Sequence, residues 1–310
     1  LGGIDADKTP TIGKTTHEQV VNNMPATKPT AREQVVEDMG AIRQMAHKPM
    51  ANDMPAVQQT ALVRMDRVSK RYPNGTVAVQ GVDLDVQGGE FLCFVGPSGC
   101  GKSTIFKMIA GLESHTEGRL EIFGTHPHEA RKRNEIAFVF QEHTLMPWSS
   151  VETNVMLPLS LRKVPKKEQR IAAARALELV GLKDYAKMLP RELSGGMKMR
   201  VSIARALVSQ PKLLLMDEPF GALDEITRQI LQQELLNIWR REPGMTVLFI
   251  THNVFEAVYL STKVVVMTPR PGRIAGIVDI PVPFPRDDTF RSSAEFSRYV
   301  GQVSQVLNHN

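Results

Sequence analysis

The chain is 310 residues long, with 42% hydrophobic and 23% charged residues and a formal net charge of +5. That length holds one large or two small domains with a sizeable core, and so diffuse a basic excess suits a phosphate ligand or an anionic surface, not a nucleic-acid partner. Two cysteines, Cys93 and Cys100, fit neither a zinc pattern nor a disulfide framework and suit a reducing cytosol, and no apolar run approaches the ~18 residues needed to span a bilayer, so a role at a membrane needs another chain to do the spanning.

Residues 1–60 contain no Phe, Tyr or Trp, carry five Pro, and hold six Lys/Arg against seven Asp/Glu. Such a segment buries little apolar surface and is expected to be disordered. Within it, Val35, Val36, Met39, Ile42 and Met45 fall near one face of a short helix over 31–46. TIGKTT at 11–16 looks like half a phosphate loop, but Lys8 stands where the first glycine is required, and the match is assigned to chance.

From Ala61 the texture changes. LVRMDRVSKRY and VQGVDLDV alternate like strands, and EFLCFVG is a short apolar run. STIFKMIAGL reads as a helix ending at Gly111. IAFVFQ, KLLLMDE, VLFITH and KVVVMT are further strand-length apolar runs, the last two flanking the helical NVFEAVYLS. Apolar strands separated by helices imply an α/β fold with a parallel sheet covered on both faces. From about Gln141 to Gln210 the chain is mostly helical (KKEQRIAAARALELVGL, MKMRVSIARALV) and reads as an insertion on that sheet. After Pro285, Phe296, Tyr299, Val300, Val303 and Leu307 have helical spacing, and a terminal helix packing on the body is expected.

Gly96-Pro97-Ser98-Gly99-Cys100-Gly101-Lys102-Ser103-Thr104 fits the phosphate-loop pattern between an apolar strand and a helix. Its glycines let the backbone wrap phosphates, Lys102 neutralises charge, and Ser103 suits Mg²⁺. Asp217 and Glu218 end the run LLLM, at the strand end where open α/β sheets bind ligands. Asp217 suits the metal shell and Glu218 the polarising of an attacking water. His252 closes VLFITH; a lone strand-end His is usually structural, but here it shares a sheet edge with a phosphate site. Gln141, ending IAFVFQ, could reach Mg²⁺ and the water. The EHTLMPWSSVETNV that follows is apolar without a helix or strand period, which reads as a protein-docking surface or as core. Tyr72, before Pro73-Asn74-Gly75, could stack on an adenine or simply pack. Ser194-Gly195-Gly196 opens a helix and so offers a second anion site about ninety residues after the first.

Taken together, these residues resemble the nucleotide-binding subunit of ABC transporters over roughly 61–285. The parts stand in family order: Tyr72, the loop 96–104, Gln141, LSGGM at 193–197, LLLMDEP at 213–219, GALD at 221–224, and His252. The resemblance implies a RecA-like phosphate-loop NTPase core with an antiparallel β subdomain and an inserted helical subdomain at about 142–210, followed by a helix in 286–310. It implies an ATPase using ATP and Mg²⁺. It also implies head-to-tail pairing with a second copy or a paralogous ATPase subunit, in which Ser194 and Gly196 cover the γ-phosphate bound by the partner and Asp224 links the two sites. Transmembrane permease subunits would dock near 142–157, an extracytoplasmic solute-binding protein would choose the solute, and the chain would sit peripherally on the cytoplasmic face of the inner membrane. Met197 departs from the family, which most often has Gln there. LSGGM, LMPWSSVETNV, DEPFGALDEITR and TPRPGRIAGIVDIPVPFPR resemble a narrower branch, the nitrate/sulfonate/taurine importers. The alternative is a soluble ABC ATPase acting on ribosomes or DNA; such chains usually carry two ATPase modules or a long coiled coil, and this one has one phosphate loop and no sustained heptads.

Overall fold

The computed structural model describes residues 61–242 and 244–309. The readings made for 1–60 (disorder, a helix over 31–46, the TIGKTT stretch) lie outside the described residues. The strands are β1 (Val63–Arg71), β2 (Val77–Val86), β3 (Phe91–Val95), β4 (Glu117–Ile122), β5 (Ile136–Val139), β6 (Leu213–Asp217), β7 (Thr246–Ile250), β8 (Lys263–Met267) and β9 (Ile274–Asp279). They form two sheets: a three-stranded one in the order β2-β1-β4, and a six-stranded one in the order β5-β6-β7-β3-β8-β9. The smaller sheet is antiparallel. In the larger one β5, β6, β7, β3 and β8 are parallel, and β9 is an antiparallel edge.

Successive side chains on a strand point to opposite faces, and the larger sheet is apolar on both. Leu92, Phe94, Leu215, Leu248, Ile250 and Val265 enter one core, which the smaller sheet and helix α1 (Lys102–Ile109) complete. Phe91, Cys93, Leu214, Met216, Val247 and Phe249 enter the other. Two strands escape sequence reading. EGRLEI supplies only Leu120 and Ile122 to a core and pairs with β1 as β4. IAGIVD, half-exposed, caps the sheet as β9.

After the short α2 (Pro127–Lys132), the segment inserted between β5 and β6 carries α3 (Val151–Leu161), α4 (Lys166–Leu179) and α5 (Gly195–Leu207). VETNV, for which no period is visible, begins α3: Ser150 caps it, and Val151, Val155, Met156 and Leu159 are buried on a helix apolar around most of its girth, with Pro158 inside. Helix α6 (Glu225–Arg241) leads into β7, and α7 (Val254–Leu260) joins β7 to β8. The short α8 (Asp288–Arg291) precedes α9 (Ala294–Asn308), which buries Phe296, Tyr299 and Val303. Arg286 anchors this last segment. Its guanidinium, 1% exposed, donates to the carbonyls of Val258, Tyr259 and Ser261 at the end of α7 and to those of Ile280 and Val282. Burial lowers its pKa to about 10.

One buried amide fixes the loop before α3. Asn154, 0% exposed, accepts from Met146 N–H at 2.8 Å and donates to the carbonyls of Met146, Ser149 and Ser150. Held in this way, the loop presents Trp148 at 78% exposure. Asn154→Leu strands those groups in a buried site, and we expect it to lower the unfolding free energy by about 1–3 kcal/mol in urea titrations and to speed hydrogen exchange at Met146 N–H.

Candidate functional site

Four adjacent parallel strands, β5-β6-β7-β3, deliver the predicted residues in a row. Gln141 follows β5 by two residues, Asp217 ends β6, His252 follows β7 by two, and Gly96 directly follows β3. This is where the carboxyl ends of an open parallel sheet bind ligands.

The phosphate loop runs from β3 into α1. A Cβ on Gly96 would lie 2.9 Å from Met267 O, and one on Gly101, where φ is +104°, would lie 2.8 Å from Ala78 O. Both positions therefore exclude any side chain. Lys102 is 5% exposed, and its Nζ donates to Gly96 O at 2.8 Å and Pro97 O at 3.0 Å. The loop thus curls around its own ammonium group. No acidic residue stands in the first turn of α1, so its positive dipole end is unopposed. Ser98 and Gly99 are exposed, and Cys100 is a buried free thiol. Tyr72 lies beside this helix. Its hydroxyl donates to Glu113 Oε2 at 3.0 Å and lies 3.4 Å from Thr104 Oγ1.

The carboxylates come next in the row. Ser103 Oγ donates to Asp217 Oδ1 at 3.1 Å, joining the two residues expected to serve a metal. Burial pushes the Asp217 carboxyl above its ordinary range; the Ser103 hydroxyl opposes this and Glu218 adds to it. Glu218 has φ +46°, a conformation costly for a residue with a Cβ. Its Oε2 lies 3.2 Å from His252 Nδ1. Gln141 Nε2 and Glu218 Oε2 both fall 3.8 Å from the point where a Cβ on Gly221 would stand, so the exposed Gln141 and the carboxylate both border Gly221.

The signature turn is built separately. Ser194 caps α5, its hydroxyl accepting from Met197 N–H at 3.3 Å, and Met197 packs half-buried against the core. Gly196 lets α5 approach α6, since a Cβ there would lie 2.7 Å from Thr227 Cγ2; one on Gly195 would contact Leu223 at 3.7 Å. Asp224 caps α6 by accepting from Thr227 N–H at 2.9 Å, which holds its carboxyl below the ordinary range. Among the described residues, no hydrogen bond or ion pair joins Ser194, Gly195 or Gly196 to the phosphate loop.

Comparison with known proteins decides the family. The family model described as "ABC transporter" matches residues 79–221. An ABC transporter ATP-binding protein of Methanocaldococcus jannaschii is 47% identical over 234 residues, covering 76% of this chain and 85% of that protein. The chain belongs to the ABC transporter ATP-binding family. The aliphatic sulfonates import ATP-binding protein SsuB of Bacillus cereus is 42% identical over 243 residues, covering 77% of this chain and 94% of SsuB. Among solved structures, a bacterial ABC transporter cassette determined as a dimer matches with a TM-score of 0.64 and 31% identity, covering 71% of this chain and all of the cassette. CbiO1 of Clostridium perfringens, part of the transporter complex cbiONQ, matches with a TM-score of 0.67 and 26% identity over 81% of this chain and 98% of its own. This chain is an ABC ATPase with the cassette fold.

The structure adds residues to the ABC site that motif reading passes over. Arg270 donates through Nε and Nη2 to Gly99 O, at 3.2 and 3.0 Å. Gly272 lies so close to the loop that a Cβ would fall 1.9 Å from Cys100 O. TPRPGR, legible only as a branch motif, is thus the backing of the phosphate loop. Arg205 of α5 donates to the carbonyls of His143 and Thr144 and to Thr144 Oγ1 at 2.8–3.0 Å, and Ser202 Oγ also donates to His143 O. An arginine that bonds only carbonyls and a hydroxyl, with burial lowering its pKa, straps the signature helix to the loop that follows Gln141.

The raised Asp217 pKa has a defined sign. Between the ordinary carboxylate pKa and the raised one, the folded chain binds more protons than the unfolded chain, so stability falls as pH rises through that window. Asp217→Asn is therefore expected to raise the nucleotide-free Tm at pH 7, with the gain vanishing below the ordinary carboxylate range. On addition of Mg-ATP the variant is expected to gain less in Tm than the wild type. Differential scanning fluorimetry across pH reads both effects.

Proposed function

We propose that this chain powers an importer of the sulfonate class, working as a head-to-tail dimer on the cytoplasmic face of the inner membrane. The observation that carries the dimer is the separation just described. The phosphate loop, Asp217, Glu218 and His252 share one sheet edge, while Ser194–Gly196 bond elsewhere; a related cassette was solved as a dimer. A turn that presents free amides but does not serve its own loop fits the partner's nucleotide. Two identical subunits then close both sites about one two-fold axis. Relatives named as sulfonate importers, 42–47% identical, support the solute class.

In this reading the amides of 96–104 cradle the phosphates of ATP, and Lys102 exchanges its carbonyl partners for phosphate oxygens. Tyr72 sits against the adenine. Ser103 and Asp217 are oxygen donors that would hold a hard cation such as Mg²⁺, with the Gln141 amide oxygen as a further donor on the same sheet edge. The cation would supply neutralisation of phosphate charge. Glu218 orients a water for in-line attack and accepts its proton; His252 holds Glu218 in place and faces the γ-phosphate. Asp224, capping α6 beside Gly196, links the two sites across the dimer.

A groove of about 500 Å³ lies between β5, α3 and α5, lined by Phe138, Phe140, Thr144, Leu157, Leu161 and Arg205. Together with Trp148 it is the seat we assign to a cytoplasmic helix of the permease. No helix among the described residues is long and apolar enough to cross a membrane. The permease supplies the spanning segments, and an extracytoplasmic binding protein selects the solute.

Two experiments test this reading. Ser194→Arg and Lys102→Ala chains should each be inactive alone but regain part of the activity when mixed, because a mixed dimer keeps one intact composite site; no recovery in verified mixed dimers removes the cross-subunit assignment. Tagged chain drawn from native membranes in mild detergent should bring a multi-spanning permease in equal amount, whose companion binding protein takes up a sulfonate in calorimetry. Recovery with ribosomes or DNA instead overturns the importer reading.

A further inference from the structure

Two polar side chains interrupt the apolar layer formed by α6 and α7. Gln232 is 2% exposed and Glu256 5%. Gln232 Nε2 donates to Glu256 Oε1 at 2.8 Å, and Gln232 Oε1 accepts from Arg291 Nη2 at 2.6 Å. Arg291 ends α8, and its guanidinium lies 3.4 Å from the centroid of the Tyr259 ring. A planar cation is thus fixed on an aromatic face and aimed at the amide.

At the other end, Glu256 stands in the first turn of α7, the helix that opens directly after His252. Thr251, on the other side of His252, is itself 2% exposed. Thr251 Oγ1 accepts from Asn253 N–H at 2.9 Å, and Asn253 Oδ1 accepts from Glu256 N–H at 3.3 Å. The two residues flanking His252 are thus bonded to each other and, through Asn253, to the first turn of α7, and His252 itself projects toward Glu218 at 3.2 Å.

Burial raises the Glu256 pKa, so the group works against its surroundings. Well-packed apolar side chains in its place are often as stable or more so. Fold stability alone therefore does not account for a hydrogen-bonded chain that starts in the carboxy-terminal segment and ends in the first turn of the helix that follows His252. What such a chain does provide is a fixed orientation. We propose that Gln232 and Glu256 are positioning residues of the ATPase: the chain Arg291–Gln232–Glu256 fixes the first turn of α7, whose cap Asn253 adjoins His252, and so sets His252 against Glu218 and makes the carboxy-terminal segment a determinant of hydrolysis rate. The proposal rests on the roles given above to His252 and Glu218.

The test uses the full chain and measures kcat, KM for ATP and Tm. Glu256→Leu should lower kcat by about tenfold and Gln232→Leu by about fivefold with KM within about twofold, the pattern of an interaction that matters in the transition state. Glu256→Gln, which keeps an oxygen to accept from Gln232, should retain most of the activity. Arg291→Leu, at a partly exposed site, should lower kcat by about threefold, and it carries the test if the buried variants fail to fold. In single-turnover assays with enzyme in excess, adding Gln232→Leu to His252→Ala should cause no further loss, because the two act on one step. Folded leucine variants with wild-type kcat, or a multiplicative loss in the His252→Ala background, overturn the proposal and leave the site reading intact. Wild-type kcat in His252→Ala overturns the site reading itself, and the proposal with it.

Discussion

A loop that must point its amides at phosphate cannot also spend them on protein, so it has to be gripped from outside. Here the grip is backbone against backbone. Gly101 lies on Ala78 of β2, Gly96 on Met267 at the end of β8, and Gly272 on Cys100, each at a distance that leaves no room for a Cβ. Arg270 pins Gly99 from the far side. The smaller antiparallel sheet and the turn after β8 thus share one task, although nearly two hundred residues separate them. The sheet order follows from the same need, because β3 must be flanked on both sides for its loop to be enclosed.

The charges obey a second constraint. Two adjacent carboxylates at the end of a buried strand repel each other and lose hydration. Asp217 is compensated by the Ser103 hydroxyl, from the helix after β3, and Glu218 by the His252 imidazole, from the turn after the neighbouring β7. The compensation is incomplete, since burial still raises the Asp217 pKa. That residual tension favours a ligand bearing positive charge. Glu218 adds a backbone conformation that costs about 1–3 kcal/mol, which the surrounding bonds to Ile250 and Gly221 sustain.

Much of this was legible in the sequence, for physical reasons. Apolar runs of strand length mark a doubly covered sheet, and each of the four in the row carries its polar residue at the same end. Gly96, Gly101, Lys102 and Ser103 keep a spacing that phosphate wrapping dictates. What escaped was whatever depends on a partner distant in sequence. EGRLEI is too polar to read as a strand until β1 lies beside it, and α3 shows no polar stripe because apolar residues such as Leu161 stand on its uncovered side as well. Arg205, Arg270 and Gly272 act by touching backbone, which leaves no pattern of residue types. Gln232 and Glu256 sit on helices at positions that look like ordinary amphipathic polarity, and only burial reveals them.

The loop pinned by Asn154 has an optical consequence. The chain contains two tryptophans. Trp239 packs edge-on against Phe91 and Phe284, and its indole N–H is committed to Met245 O. Trp148 stands in water on a loop that Asn154 holds still. The two indoles therefore emit from different environments, one half-buried among aromatic rings and one in water. Quenchers in solution reach the second more readily than the first. Whatever covers the loop before α3 will shift the long-wavelength part of the emission most, so the unlabelled protein is its own docking reporter.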